Sequence, residues 1–293
     1  MAKFVFSAFA DEAGKSLDEQ IKALVENGIH YIEPRNIDGK CIIDFSDEEL
    51  LEIRRRLNEN GIEVGSVGSP IGKYPITDDF DAYLPKVKRT IEVAKILGTK
   101  YVRMFSFFVK QEELALHRDE VIRRLTEMVK LAESEGVVFC HENESKIYGQ
   151  MPAEVKDVLT SVPGLGGIFD AANYRMNNAD TMEGIEATLV NFKYMHIKDA
   201  IYSEQTIVPA GEGEGRIGEI IDIINAHTDE QVYLTLEPHL HAFLAYKSID
   251  DHELKGKHHF NSGREAFDFA VSALSALLTK HGYGKDENGV WKK

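Results

Sequence analysis

Residues 133–144 read ESEGVVFCHENE, and this stretch holds the alternation on which the fold rests. A helical run stops at Glu135-Gly136, where a left-handed residue is cheap, and gives way to the apolar run Val137–Cys140. That run closes on His141, Glu142 and Glu144. The same junction occurs upstream as VENGIHYIE at 25–33 and NENGIEVGS at 58–66, so a structural device repeats although the sequence does not.

Working outward, the periodicity predicts strands at Phe4–Phe9, His30–Glu33, Glu63–Val67, Lys100–Phe105, Val137–Glu142, Leu165–Asp170, Phe192–Ile197 and Val232–Glu237. Apolar residues at helical spacing predict helices at Leu17–Glu26, Asp47–Glu59, Phe80–Leu97, Glu112–Glu135, Pro152–Thr160, Met182–Leu189, Ile217–Asn225 and Arg264–Lys280. Ser46 before Asp47-Glu48-Glu49 marks a capped start, with Glu49 completing a capping box. Eight strand–helix units in 293 residues match an α/β fold of the (β/α)8 TIM-barrel type in a single domain. A doubly wound sheet usually has fewer strands and a glycine-rich dinucleotide or phosphate loop after the first. Here the first strand leads into SAFADE at 7–12, which contains neither. The barrel is expected to occupy 1–281, with residues 282–293 as a loosely held C-terminal tail that carries the sole tryptophan, Trp291.

Composition narrows the partners. With 43% apolar and 28% charged residues the chain can bury a large core, and its net charge of −15 argues against tracking a phosphate backbone. The opening apolar stretch meets Asp11 and Glu12 too early for a signal peptide, and no window reaches the roughly 18–20 apolar residues of a membrane span. Cys41 and Cys140 form neither a disulfide framework nor a CxxC pair. A reduced, cytoplasmic protein without nucleic-acid or membrane partners is the expectation.

In such a barrel the active site lies at the carboxyl ends of the strands. The last four predicted strands all end in potential metal ligands: Glu142 or Glu144, then Asp170, His196 and Glu237. Carboxylates with one imidazole form a hard, oxygen-rich set suited to Mn2+, Mg2+, Co2+ or Fe2+ rather than to a thiolate zinc site. One divalent metal ion is the expected cofactor, Mn2+ first, with Zn2+ a further alternative. Other strand-end groups are candidate substrate contacts or structural ion pairs: Glu33 with Arg35 nearby, Arg103, Lys198 and His239. The glycine-rich segment 209–215 lacks the lysine of a phosphate loop and reads as a turn whose Glu212 caps or covers the site. Ser262 and Glu265 read as a helix cap. His252, His258 and His259 with Lys255 and Lys257 read as a solvated lid.

The strings HENE at 141–144, FDAANY at 169–174, MHIKDA at 195–200, VPAGEGEG at 208–215 and LEPHL at 236–240 resemble the xylose-isomerase-like TIM barrels. The family includes ketose epimerases, isomerases and inosose dehydratase, and shares its fold with endonuclease IV. The resemblance spans roughly Phe4 to His281. It implies one divalent metal held by Glu142, Asp170, His196 and Glu237, with Glu142 preferred over Glu144 because the family shows Glu-Asn at that position. Glu142 and Glu237 are then implied as the acid/base pair, with Glu144 a loop residue beside the substrate. Asn173 stands where some relatives have a substrate-binding histidine.

The implied activity is isomerisation or epimerisation of a small sugar or hydroxyketone, with or without a phosphate, through proton abstraction and an enediolate. The same site allows dehydration of an inosose-type substrate, or a non-catalytic sugar-binding barrel. Phosphodiester hydrolysis on damaged DNA is disfavoured, because the early strands end in SAFADE, IEPRN and VGSVGSP, without histidine. A homodimer is the assembly the resemblance implies.

Overall fold

Short β-branched and aromatic runs pair side by side in this protein because the amphipathic stretch after each one covers its outer face. The computed structural model describes residues 1–241 and 258–293. In chain order these form β1 (Lys3–Ala8), α1 (Leu17–Glu26), β2 (Tyr31–Ile32), α2 (Asp47–Glu59) and β3 (Glu63–Val64, resuming at Ser66–Val67). There follow α3 (Phe80–Leu97), β4 (Tyr101–Met104), α4 (Leu114–Ser134), β5 (Val138–Glu142), α5 (Pro152–Ser161) and β6 (Gly166–Asp170). The last elements are α6 (Ala171–Met176), α7 (Thr181–Thr188), β7 (Phe192–Ile197), α8 (Ile217–His227), β8 (Gln231–Leu236) and α9 (Gly263–Lys280).

The ring closes by parallel pairing. β8 pairs with β1 on one side and β7 on the other, and β7, β6, β5, β4 and β3 follow in order. β2 pairs with β3, and the Glu33 amide donates to the Ala8 carbonyl at 3.0 Å to join β2 to β1. All eight expected strands are present, and the α/β barrel reading stands.

Local chemistry explains the helix limits. Ser16 with Glu19 and Ser46 with Glu49 form reciprocal capping boxes. Gly136 closes α4 at φ +73°, in the left-handed region where glycine avoids a Cβ penalty. Ser262 caps α9 by accepting from the Glu265 amide, while the Glu265 carboxylate turns back to the Asn261 amide instead of completing the box.

Two features depart from the sequence reading. α6 was not anticipated; it starts because Asp170 accepts from the Asn173 amide at 2.9 Å, so the residue that ends β6 also caps the next helix. The tail is not loosely held. Residues 284–285 and 291–292 form a small hairpin that pairs antiparallel to β1 at Phe4, and Trp291 is buried and stacked on Phe6 at 5.7 Å. An aromatic ring that finds an apolar floor outweighs the polar residues around it. Of the expected lid, His252, Lys255 and Lys257 lie outside the described residues.

Removing that ring should cost about 3 kcal/mol of stability, the usual scale for truncating a buried aromatic. Urea denaturation of Trp291→Ala measures this, and a loss below about 0.5 kcal/mol would contradict a packed tail.

Candidate metal centre

Strand register decides which side chains meet. Asp170 lies directly opposite His196, and His196 lies opposite Thr235, two residues before Glu237. Glu142 lies opposite Ile168, two residues before Asp170. Steps of two preserve the face of a strand, so Glu142, Asp170, His196 and Glu237 all project inward, staggered as a closed barrel requires. Each is buried, and one donor atom from each lies within 4.8 Å of the others.

The imidazole sits at the centre. His196 Nδ1 is 3.0 Å from Glu142 Oε1 and 3.7 Å from Glu237 Oε2, while Nε2 is 3.4 Å from Glu33 Oε2. Lys198 Nζ lies 3.0 Å from Asp170 Oδ2 and 3.2 Å from Glu237 Oε2. Arg103 Nη1 reaches Glu142 Oε2 at 3.3 Å, and Arg35 Nη1 reaches Glu237 Oε1 at 3.0 Å. The two guanidinium groups lie 4.5 and 4.7 Å from the centroid of the Phe9 ring, which also packs edge-on against His196. Asn173 Nδ2 donates to Glu142 Oε1 at 3.3 Å and to the Asn143 carbonyl at 2.8 Å. Asn143 in turn exchanges two hydrogen bonds with the Asp170 backbone, at 2.9 and 3.0 Å, tying the ends of β5 and β6 together.

Sequence reasoning underrated the first two loops. Asp11 and Glu12, just after β1, both pair with Arg35. His239 Nε2 lies 3.2 Å from Glu12 and 3.3 Å from Glu237, and its amide donates to Glu12 at 2.7 Å. The strand-end rule that singled out Glu33 and Arg103 applied equally to the SAFADE segment, although no short-range pattern marks its pairing with Arg35.

Two of the candidate substrate contacts lie outside the set of possible metal ligands. Glu144 lies in the loop after β5, outside the cluster, and pairs with Lys73 at 3.1 Å. Glu33 is fully buried behind His196, away from the mouth. Glu212 pairs with His258 at 3.0 Å rather than with the cluster. The glycine-rich turn is organised by Asp199, whose carboxylate accepts from the amides of Gly211, Gly213 and Gly215. A Cβ at Gly213 would sit 2.3 Å from Asp199 Oδ1, so no larger residue lets this approach occur.

The charges do not balance. Among the described residues, six buried carboxylates (Asp11, Glu12, Glu33, Glu142, Asp170 and Glu237) face three buried permanent cations, Arg35, Arg103 and Lys198. Burial opposes ionisation of Glu142, but His196 and Arg103 outweigh it and hold this carboxyl well below the usual range. Glu237 is likewise held low by Lys198 and His239 against its burial. Asp170 goes the other way, raised by burial that Lys198 only partly offsets. Burial works against a charged His196 too, yet Glu142 and Glu33 push it up to about 10.

A divalent cation fits this arrangement. Three oxygen donors and one nitrogen lie at the mutual spacing of ligands around one small ion, whose bonds run about 2.0–2.3 Å. Its charge supplies most of the missing positive charge.

Comparison with known proteins agrees on the architecture. Residues 21–256 match the xylose isomerase-like TIM barrel family. A zinc-bound IolI protein superposes with a TM-score of 0.73 at 17% identity, covering 95% of this chain and 99% of that one. An L-ribulose 3-epimerase gives 0.69 at 16% identity, with 96% of each chain covered. A probable 3-DHS dehydratase, AsbF of Bacillus anthracis, gives 0.68 at 15% identity, covering 94% and 99%. The bifunctional glutathione biosynthesis protein GshAB of Listeria monocytogenes is 26% identical over 157 residues, which is 45% of this chain and 20% of that protein. The chain thus spans about a fifth of the length of that curated relative. The chain belongs to the xylose isomerase-like TIM barrel family, a family of enzymes.

A metal-ligating imidazole must be neutral, so an ion entering near neutral pH has to displace the His196 proton. Calorimetric titration with Mn2+ or Zn2+ at pH 7.5, in two buffers of different ionisation enthalpy, should show release of about one proton per ion. Affinity should fall about tenfold per unit as pH drops while His196 alone titrates. Binding without proton release would contradict a charged metal-free His196.

Proposed function

We propose that this barrel is a divalent-metal-dependent isomerase or epimerase of a small sugar or hydroxyketone, with Glu142 and Glu237 moving the proton. The supporting observation is that two carboxylates held ionised lie within 4 Å of one imidazole nitrogen, in the same pit as Asp170. Glu142, Asp170, His196 and Glu237 would hold the ion, with Mn2+ the first to test. When bound, a divalent cation polarises the ketone and stabilises negative charge on its oxygens.

The chain's own residues account for the remaining steps. One glutamate removes the proton beside the carbonyl and, now protonated, returns it to the neighbouring position; for inversion, the other must first take a proton from water or a substrate hydroxyl before it delivers one to the opposite face. Arg103 Nη1 lies 3.3 Å from Glu142 and 4.0 Å from Glu237, so a single guanidinium damps the basicity of both. Lys198 and Arg35 pair with Glu237 and aim its oxygens. Asn173 and Asn143 fix the Glu142 side, and Phe9 excludes water from the back of the pit. Lys198, Asn173, His239 and Arg103 are the side chains we assign to substrate hydroxyls. Glu144, with Lys73, would meet the outer end of the substrate from the rim.

A second reading, dehydration, draws on His239. Its ring lies between Glu12 and Glu237, where a protonated imidazole can give a proton to a departing hydroxyl.

Incubation with a ketose panel in D2O tests the first reading: solvent deuterium should enter the substrate only when metal is supplied. Glu142→Gln and Glu237→Gln should each lower turnover about 10²–10⁴-fold while sugar binding persists. Absence of metal-dependent exchange across a broad panel would overturn it, and a water-loss product absorbing in the ultraviolet would shift the assignment to dehydration.

A further inference from the structure

We propose that Tyr194 and Glu33 form a positioning chain beneath the candidate metal centre, which fixes the ring orientation of His196 and leaves its Nδ1 as the ligating nitrogen. This rests on the metal-centre reading above and adds to it a role for two residues that no donor set includes.

Glu33 leaves the end of β2 and reaches across the inside of the barrel to β7. It is fully buried, as are Tyr194 and His196. Its Oε2 lies 3.4 Å from His196 Nε2, and among the described residues neither atom has another hydrogen-bond partner. Two buried polar atoms facing each other at that distance, with no competitor, form a pair that a small ring rotation brings to hydrogen-bond length.

The other carboxylate oxygen, Oε1, accepts from the Tyr194 hydroxyl at 3.1 Å. Tyr194 and His196 are both inward-facing on β7, and their rings meet edge to face at 5.6 Å. A phenol is a hydrogen-bond donor near neutral pH, and the Tyr194 hydroxyl is aimed at that oxygen. Tyr194 therefore fixes the carboxylate, and the carboxylate receives Nε2–H.

That hydrogen bond selects the tautomer. With the proton on Nε2, the lone pair of a neutral His196 lies on Nδ1, the atom 3.0 Å from Glu142 Oε1. A carboxylate behind a ligating imidazole typically contributes 10–100-fold in metal affinity. Phe9 holds the ring from the side, 5.1 Å between centroids, so rotation about the ring axis is the freedom left for Glu33 to remove.

Charge alone would also make Glu33 attract a cation, and ion selectivity separates the two effects. Zn2+ draws more of its binding from nitrogen than Mg2+ does. Chelator competition with each ion alone, without sugar, compares wild type, Glu33→Gln and Tyr194→Phe. Glu33→Gln should weaken Zn2+ about 10–100-fold and Mg2+ by a clearly smaller factor. Tyr194→Phe, which removes no charge, should weaken Zn2+ about threefold to tenfold. Nitrogen-15 spectra of the Zn2+-loaded wild type should show His196 protonated at Nε2.

Equal losses for the two ions in Glu33→Gln, full Zn2+ affinity in Tyr194→Phe, or a proton on Nδ1 would each overturn the chain. If Glu33→Gln does not fold, Tyr194→Phe and the wild-type spectrum still decide. A wild type that shows the selective pattern but exchanges no ketose proton would leave this inference standing and end the sugar reading. A wild type that binds neither ion would end both.

Discussion

Mutual repulsion among carboxylates at one mouth of the strand ring is the constraint around which the rest of the site is arranged. Removing a carboxylate from water is expensive unless it is paired and hydrogen-bonded. The protein buries Glu33, Glu142, Asp170 and Glu237 together and wedges Arg103, Lys198 and His196 between them. Arg35 does the same for Asp11, Glu12 and Glu237. A carboxylate cluster of this composition costs folding energy rather than supplying it. It persists because the barrel wall and the helices outside it supply an extensive apolar core.

The barrel converts that constraint into a site by register. Parallel strands place residues of the same parity on the same face, and the stagger that closes the ring lifts each ligand relative to its neighbour. A slip of one residue in β6 against β7 would turn Asp170 outward and put Phe169 in its place. The Asn143 side chain, hydrogen-bonded both ways to the Asp170 backbone, resists that slip at the very end of the strand pair. Phe9 contributes differently, as an apolar ring against which Arg35, Arg103 and His196 all lean. Cation–π attraction lets one uncharged side chain space two guanidinium groups that would otherwise repel.

Much of this was legible in the sequence because its signals are local. The limits of α1, α2 and α4 follow from periodicity, from Ser46 as the cap of α2, and from Gly28, Gly61 and Gly136 after the three helices. Glu142, Asp170, His196 and Glu237 stand out because each ends an apolar run. What stayed hidden depends on pairings across the chain. Arg35 meets Asp11 and Glu237, 24 and 202 positions away, and no short-range pattern marks that. Glu33 was left open between a substrate contact and a structural ion pair, because its partners Tyr194 and His196 stand far along the chain on β7. Trp291 was misread because the polar residues of the tail hide two rings that pack, Tyr283 on Phe4 and Trp291 on Phe6. α6 was missed because its cap, Asp170, was already assigned another task.

The same division explains where substrate preference must arise. On the proposed reading, inner donors held by one another, by Lys198 and by the arginines would present a cation and a base pair to many small polyols without distinguishing them. Discrimination would then fall to groups around these donors: Asn173 on α6, His239 after β8, and the Lys73–Glu144 pair. His239 is held at φ +47°, a conformation non-glycine residues adopt rarely, with its amide bonded to Glu12. Strain of that kind endures only when the surroundings impose it, and here they hold an imidazole beside a buried glutamate at the open side of the pit. Loops on a barrel tolerate change more readily than strand ends do, so on the proposed reading these positions are where substrate choice would be set.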